Sequence, residues 1–251
     1  MELRGIHFPP ICNASGAQGF FGEGYPYHKW WKYVGLTFDG CGFVAKTTTF
    51  DPREGNMPRK ADGITPSEWR PKCIIVRPLE GVMLNAVGLA GLGAPNLIER
   101  GIWQQRKDPL FISFMAVSDT VDSRLQEHKA MVSLLHKHKS EFNAPFGIEE
   151  NISCPNVGKN PSLLVDEVGA MLDIKASLNV PIRLKFNALV PPMTAARIAK
   201  HPACDAITMS NTIPWGMLPE KIDWEGLFGY EISPLAHLGG GGLSGWPLLP
   251  I

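Results

Sequence analysis

Short apolar segments recur along this chain, and polar or glycine residues follow each of them. Segments of this length, bounded by turn-forming residues, are typical of buried β-strands. Six can be recognised, at residues 8–12, 42–45, 110–115, 146–148, 180–184 and 205–209. The residues just beyond them include Asn13, Lys46, Asn151, Lys185 and Asn211. Such a chain must fold so that buried strands deliver polar side chains at their C-terminal ends.

Helical patterns separate these strands. Apolar spacing and capping residues predict helices near residues 28–34, 95–107 and 121–142, from Ser162 onwards, and over 192–200, with Asp119 or Thr120 as the N-cap of the third. Strands that alternate with helices indicate a parallel sheet. Polar residues at every strand end favour a (β/α)8 barrel, whose loops build the site there. A doubly wound sheet would gather its ligand at one crossover instead.

The predicted fold class is therefore α/β, a (β/α)8 TIM barrel with about six of its eight βα units in this sequence. We expect residues 1–251 to form one barrel domain that lacks the last two units, which would leave open sheet edges. The segment 51–94 is rich in Pro, Gly and Arg and shows little periodicity. It is predicted to be a long loop, either functional or disordered, since loops of that length are seldom simple connectors.

Composition excludes several classes of function. The 24 basic and 24 acidic residues give zero net charge, and no run of like charge predicts a nucleic-acid or membrane partner. The five cysteines are odd in number and form no CxxC pair, so neither disulfides nor a zinc site are expected. No stretch approaches about 20 apolar residues, and no signal peptide is recognisable. We expect a cytoplasmic protein without a membrane span.

Three histidines, His128, His136 and His138, lie on the predicted helix 121–142. Histidines at such spacings can bind metal, but no acidic ligands are expected on the same face. The sequence therefore predicts that these histidines lie on a solvated helix and that the chain binds no metal.

The segment 151–156 carries the densest group of polar residues at a strand end, because Asn151, Ser153, Cys154 and Asn156 lie within six residues. Cys154 has two interpretations, a small buried hydrophobic residue before a proline turn or a reactive thiol. Lys185 also has two interpretations, a rim lysine that extends to solvent or a fixed charge in a site.

Eight motifs together resemble the dihydroorotate dehydrogenases, flavoenzymes of pyrimidine biosynthesis. They occur in the order found in that family, at residues 13–16, 46–48, 53–56, 85–89, 151–156, 185, 211–212 and 241–245. The resemblance implies an FMN-bearing (β/α)8 barrel that oxidises dihydroorotate to orotate. No amino-acid side chain accepts hydride, so this oxidation needs a flavin and a base for the acidic C–H.

The resemblance also implies roles for individual residues. Cys154 would be the catalytic base, with Lys46 beside it, and a cysteine at this position marks class 1 of the family. The implied substrate-binding residues are Lys46, Asn85, Gly88, Leu89, Asn151, Asn156, Asn211 and Thr212. The implied FMN-binding residues are Ala14, Ser15, Gly16, Lys46, Thr47, Asn151, Lys185, Gly241 and Gly242, the last two in a glycine turn near the ribityl phosphate. An asparagine-rich site suits a pyrimidine, because amides both donate and accept hydrogen bonds.

Partners and alternatives stay open at this point. The motif at residues 53–56 resembles class 1A, homodimers that reduce fumarate, whereas the motif at 85–89 resembles class 1B, which passes electrons to NAD through an iron-sulfur and FAD subunit. A homo-oligomer is expected in either case. One alternative is a related FMN enzyme acting on uracil, thymine or tRNA uridine. Another is a truncated, non-catalytic fragment.

Overall fold

The computed structural model describes residues 1–35, 37–152, 161–209, 211–229 and 231–248, with the backbone alone at 32 and 161–164. Eleven strands occur in these ranges. In chain order they are β1 Glu2–Leu3, β2 Ile6–His7, β3 Phe43–Val44, β4 Ile74–Arg77, β5 Val82–Asn85, β6 Leu110–Phe114, β7 Phe146–Asn151, β8 Ile182–Lys185, β9 Ala206–Thr208, β10 Ile213–Pro214 and β11 Gly242–Gly245.

Five of the six α-helices in these ranges overlap the predicted positions, and the sixth, between β10 and β11, was not predicted. The six are α1 His28–Trp31, α2 Ala94–Glu99, α3 Val121–His138, α4 Pro161–Ala176, α5 Pro192–Ala199 and α6 Trp224–Phe228. The Thr120 hydroxyl accepts a hydrogen bond from the Ser123 N–H at 3.2 Å, which confirms Thr120 as the N-cap of α3. Within the described ranges, no helix combines the length and apolarity that crossing a bilayer requires.

A parallel sheet forms the centre of the fold. Its five strands follow the order β3-β6-β7-β8-β9. The predicted strand at residues 8–12 joins them only through a parallel bridge between Cys12 and Gly42, outside the named strands. The predicted α/β class with a parallel sheet is confirmed.

Two long-range contacts show that this sheet is curled. Neighbouring strands lie about 4.8 Å apart, so a flat sheet would separate the Cys12 bridge from β8 by roughly 19 Å. Instead Lys185 Nζ at the end of β8 lies 2.9 Å from Ser15 Oγ. At the opposite end of the strands, Arg4 Nε donates to Asp205 Oδ1 at 2.8 Å. The sheet therefore has a concave interior, with the β1–β2 hairpin at its N-terminal end.

Side chains of the parallel strands alternate between this interior and the helices. On β6, Ile112 and Phe114 belong to the hydrophobic core that includes Met131 and Leu135 of α3. Ile182 and Leu184 of β8 pack in the same way with residues of α4 and α5. On the interior side, Phe8 stacks on Phe111 with ring centroids 4.3 Å apart. This pair closes the floor of the interior and leaves the C-terminal strand ends for polar residues.

A second, antiparallel sheet was not predicted. Its order is β10-β11-β5-β4, so it includes a hairpin from the segment 51–94, which the sequence had predicted to be a long loop. β11 likewise forms from residues predicted to be a glycine turn. The apolar residues of the hairpin pack with Ile213, Trp224 and Phe228 in a core of their own. β11 pairs with β5 about 160 positions away, and local sequence patterns carry no information about such pairing, whereas β4 and β5 pair with each other as a local hairpin.

Candidate functional site

An ion pair lies in the interior of the curled sheet, one layer above Phe111. Glu149 of β7 and Arg183 of β8 are in register, and the Arg183 guanidinium donates to Glu149 Oε2 at 2.9 Å from Nε and 2.5 Å from Nη2. The same guanidinium lies 4.1 Å from the Phe111 ring centroid. Both side chains are buried. Because burial of charges is costly unless they are paired, this geometry keeps two opposite charges in place below the strand ends.

Four further groups connect this pair to the strand ends. Ser113 of β6 donates from Oγ to Glu149 Oε1 at 3.1 Å and shares a 2.9 Å hydrogen bond with Thr47 Oγ1. Thr47 in turn lies 3.2 Å from Ser15 Oγ, which accepts from Lys185 Nζ at 2.9 Å. Ser15, Thr47 and Lys185, predicted as cofactor-binding residues, are therefore brought together in one network.

Lys46 is a buried cation at the same end of the sheet. Its Nζ donates to the Ala90 carbonyl at 2.5 Å and lies 4.7 Å from the Phe20 ring centroid. Burial, reinforced by the nearby Arg59, lowers the pKa of Lys46 to about 8. A lysine with that pKa is still mostly protonated at neutral pH, so it can attract an anionic ligand.

The Ala90 contact ties Lys46 to the turn that contains Asn85, Gly88 and Leu89. Gly88 and Leu89 both have positive φ, 70° and 57°, so two consecutive residues are left-handed. The turn is held by Asn56, whose Nδ2 donates to the Ala86 carbonyl at 2.7 Å and whose N–H donates to Val87 at 2.9 Å. The motif at residues 53–56 therefore acts as a support for the predicted substrate turn.

The predicted asparagines form a second group. Asn211 donates from Nδ2 to Asn151 Oδ1 at 2.5 Å and accepts the Thr212 N–H on its Oδ1 at 2.9 Å. These two bonds fix which way both amides face. Asn151 also lies in register with Lys185 on the neighbouring strand, so this group adjoins the hydroxyl network.

Gly241 and Gly242 lie beside predicted substrate residues. Asn85 donates from Nδ2 to the Gly242 carbonyl at 3.3 Å, and a side chain on Gly242 would overlap with the Thr212 hydroxyl. Gly241 has φ of 82°, and a Cβ there would lie 3.1 Å from the Asn85 carbonyl. Both glycines permit close approach of β11 to its neighbours. A role of these residues toward a phosphate stays a prediction.

Gly16 leaves open space at the mouth of the interior. It has φ of 90°, and within the described ranges the one atom that an added Cβ would meet within 4 Å is Cγ of Lys46, at 3.9 Å. Ala14 next to this turn is exposed. A flat ligand could therefore lie against this turn beside the stem of Lys46. The remaining predicted residues, Cys154 and Asn156, lie outside the described residues.

The structure corrects the prediction for one helix histidine. His128 is buried, and its Nδ1 lies 2.6 Å from Lys175 Nζ, which is itself 2.8 Å from Glu150 Oε2. Burial and the nearby Lys175 charge lower the pKa of His128 to about 2, and burial raises the pKa of Glu150 to about 7. His136 and His138 are more exposed. The missed signal was Glu150, a carboxylate on the face of β7 turned toward the helices.

Sequence reasoning also missed Ser113, Glu149 and Arg183. Ser113 and Arg183 interrupt apolar strand segments and Glu149 directly follows one, and strand alternation places all three on the face opposite Ile112, Ile148 and Ile182. That alternation was the available signal.

The chain is similar to known proteins along its whole length. No protein-family model matches it. The curated protein named dihydroorotate dehydrogenase B (NAD(+)), catalytic subunit, from Geobacillus kaustophilus is 30% identical over 259 residues, covering 100% of this chain and 70% of that protein. The protein of the same name from Streptococcus pneumoniae is 30% identical over 254 residues, 96% of this chain and 68% of the relative. The protein of this name from Bacillus caldolyticus is also 30% identical, over 259 residues.

Proposed function

This chain belongs to the dihydroorotate dehydrogenase family, and from that membership we propose that it oxidises dihydroorotate to orotate in pyrimidine biosynthesis with FMN as its cofactor. The observation that supports this proposal is that relatives sharing one name match the whole chain. It confirms the resemblance found in the motifs and favours the dehydrogenase over the related pyrimidine reductases. Neither the eight motifs taken together nor the whole-chain match depends on any single residue.

The residues at the strand ends fit FMN. The open space at Gly16 beside Lys46 suits a flat ring, and the hydroxyls of Ser15 and Thr47 lie next to it. Lys46 and Lys185 are buried cations that would stabilise negative charge on a bound flavin. When bound, FMN supplies the hydride acceptor that side chains lack. We assign Ala14, Ser15, Gly16, Lys46, Thr47, Asn151 and Lys185 to its binding, with Gly241 and Gly242 as further candidates.

The amides and Lys46 would bind the substrate. Dihydroorotate carries a carboxylate, carbonyl oxygens and ring N–H groups, which amides can pair with in both directions. Asn151 and Asn211 are held in fixed orientations by their mutual hydrogen bond, and Asn85 is held by Gly242. We assign Asn85, Gly88, Leu89, Asn156 and Thr212 to the same function. The positive charge of Lys46 would attract the carboxylate.

Cys154 is proposed as the base that takes the acidic proton next to the substrate carbonyl. Replacing Cys154 with Ala is expected to lower dihydroorotate oxidation by at least about 100-fold, the lower end of what a positioned base contributes. The measurement is the loss of visible flavin absorbance after anaerobic mixing with dihydroorotate. A matched Cys204→Ala variant, a cysteine in the region of α5 and β9, is expected to retain the wild-type rate. An undiminished rate in Cys154→Ala would exclude Cys154 as the base.

The relatives also suggest an electron acceptor and a complete fold. The name of these relatives includes NAD(+) and the words catalytic subunit. We therefore propose that electrons pass to NAD through a second subunit carrying iron-sulfur and FAD groups, as in class 1B, and not to fumarate. We also infer that the parallel sheet belongs to a (β/α)8 barrel. The curl of the sheet and the Cys12 bridge, which adds a sixth strand position, support that inference.

A further inference from the structure

We propose that Glu149 is a positioning residue for Lys185, acting through a one-way chain of hydrogen bonds that runs from Lys185 through Ser15, Thr47 and Ser113 to the Glu149 carboxylate. The inference rests on the proposed function in one respect, that Lys185 lies against FMN. It assigns a role to interior residues that neither the motifs nor the relatives' names suggest.

The direction of this chain follows from its end. Arg183 donates to Glu149, and a carboxylate can only accept hydrogen bonds, so Ser113 must donate to it. A hydroxyl has one hydrogen, so Thr47 must then donate to Ser113, and Ser15 must donate to Thr47. Ser15 is left to accept from Lys185. Every hydroxyl hydrogen in the chain is therefore committed, and the two hydroxyls at the mouth have fixed orientations.

The charge of Lys185 also depends on the Glu149 carboxylate. Among the residues that the structure describes, two charged groups face Lys185: Glu149 of β7, whose Oε1 lies 4.0 Å from Nζ, and Arg183 of its own strand. Burial lowers the pKa of Lys185, and the Glu149 charge opposes that shift. Without the carboxylate, two cations would share one buried interior. Arginine does not release its proton in proteins, so Lys185 would be the group to become neutral.

The test is the substitution Glu149→Gln, read out by FMN binding and by the midpoint potential of bound FMN between about pH 6 and about pH 9. We expect the Glu149→Gln variant to bind FMN at least tenfold more weakly than the wild type at about pH 8, which corresponds to about 1.4 kcal/mol. The midpoint potential should become more negative, because neutral Lys185 no longer stabilises the reduced, anionic flavin. The matched control is Glu150→Gln, the same change one residue along β7 on the face turned toward the helices, which should leave the potential unchanged.

A second variant keeps the inference testable if Glu149→Gln does not fold. Ser113→Ala leaves the Glu149–Arg183 pair intact but breaks the chain, and it should weaken FMN binding in the same direction by a smaller factor. Wild-type FMN affinity and potential in either Glu149→Gln or Ser113→Ala would overturn the inference. A wild-type protein that binds no FMN would instead overturn the proposed function, so the two failures are distinguishable.

Discussion

We expect the buried charge of Lys46 to lower the free energy of unfolding of this protein. Because burial lowers the pKa of Lys46 from 10.5 to about 8, keeping it charged in the folded protein costs about 2.5 × 1.36, or about 3.4 kcal/mol. Replacement by Met removes that cost and keeps a similar volume. It also leaves the Ala90 carbonyl without its donor, a loss of about 1–3 kcal/mol. Lys46→Met should therefore be as stable as the wild type or more stable by up to about 2 kcal/mol at pH 7.

The pH dependence gives the sharper result. Between about pH 8 and pH 10.5 the unfolded chain holds a proton on Lys46 that the folded protein has released, so wild-type stability rises with pH in that window. The Met variant lacks this titration. The advantage of the variant over the wild type should shrink by about 2.5 kcal/mol between pH 7 and about pH 10.

Urea unfolding followed by tryptophan fluorescence, at several pH values and without added FMN, measures both quantities. The control is Lys129→Met on the exposed face of α3, which should change stability by less than about 0.5 kcal/mol at every pH. Dihydroorotate oxidation by Lys46→Met should be lost even where its stability increases, as is common for residues in active sites. A stability difference that does not vary with pH would refute this account of the buried charge.

Two further outcomes concern a buried ion pair behind the sheet and the packing of two glycines. Lys175→Met should lower the free energy of unfolding by about 3 kcal/mol, because it leaves the buried Glu150 unpaired. Adding Glu150→Leu to this variant should restore most of that loss. Urea unfolding of both variants tests the prediction, and no recovery in the double variant would contradict it. Gly242→Val should weaken orotate binding, because its side chain would overlap with the Thr212 hydroxyl. Gly169→Ala in α4, where the added Cβ has open space, should instead raise the free energy of unfolding by up to about 1 kcal/mol. Equal orotate dissociation constants for Gly242→Val and wild type would argue against a role of the contact with Thr212.

Local patterns predicted much of the framework. Apolar segments predicted the five parallel strands, and helical spacing with a threonine cap predicted α3, because these signals depend on neighbouring residues. They failed for the β4–β5 hairpin and for β11. β4 and β5 pair locally with each other, whereas β11 pairs with β5 across a long sequence separation, and glycine-rich residues such as those of β11 have no strand preference of their own.

The same division applies to the site. The sequence by itself determined that Lys46, Asn151, Lys185 and Asn211 lie at or just beyond strand ends, and the order of the motifs indicated the family. That these residues carry the chemistry stays a prediction. Only the tertiary structure decided which groups meet, because the curl of the sheet brings Ser15 to Lys185 across four strand spacings. It also placed Glu149 and Arg183 beneath them as a buried pair. Hydrogen bonds and ion pairs need distances of a few ångströms, and a linear sequence does not contain those distances.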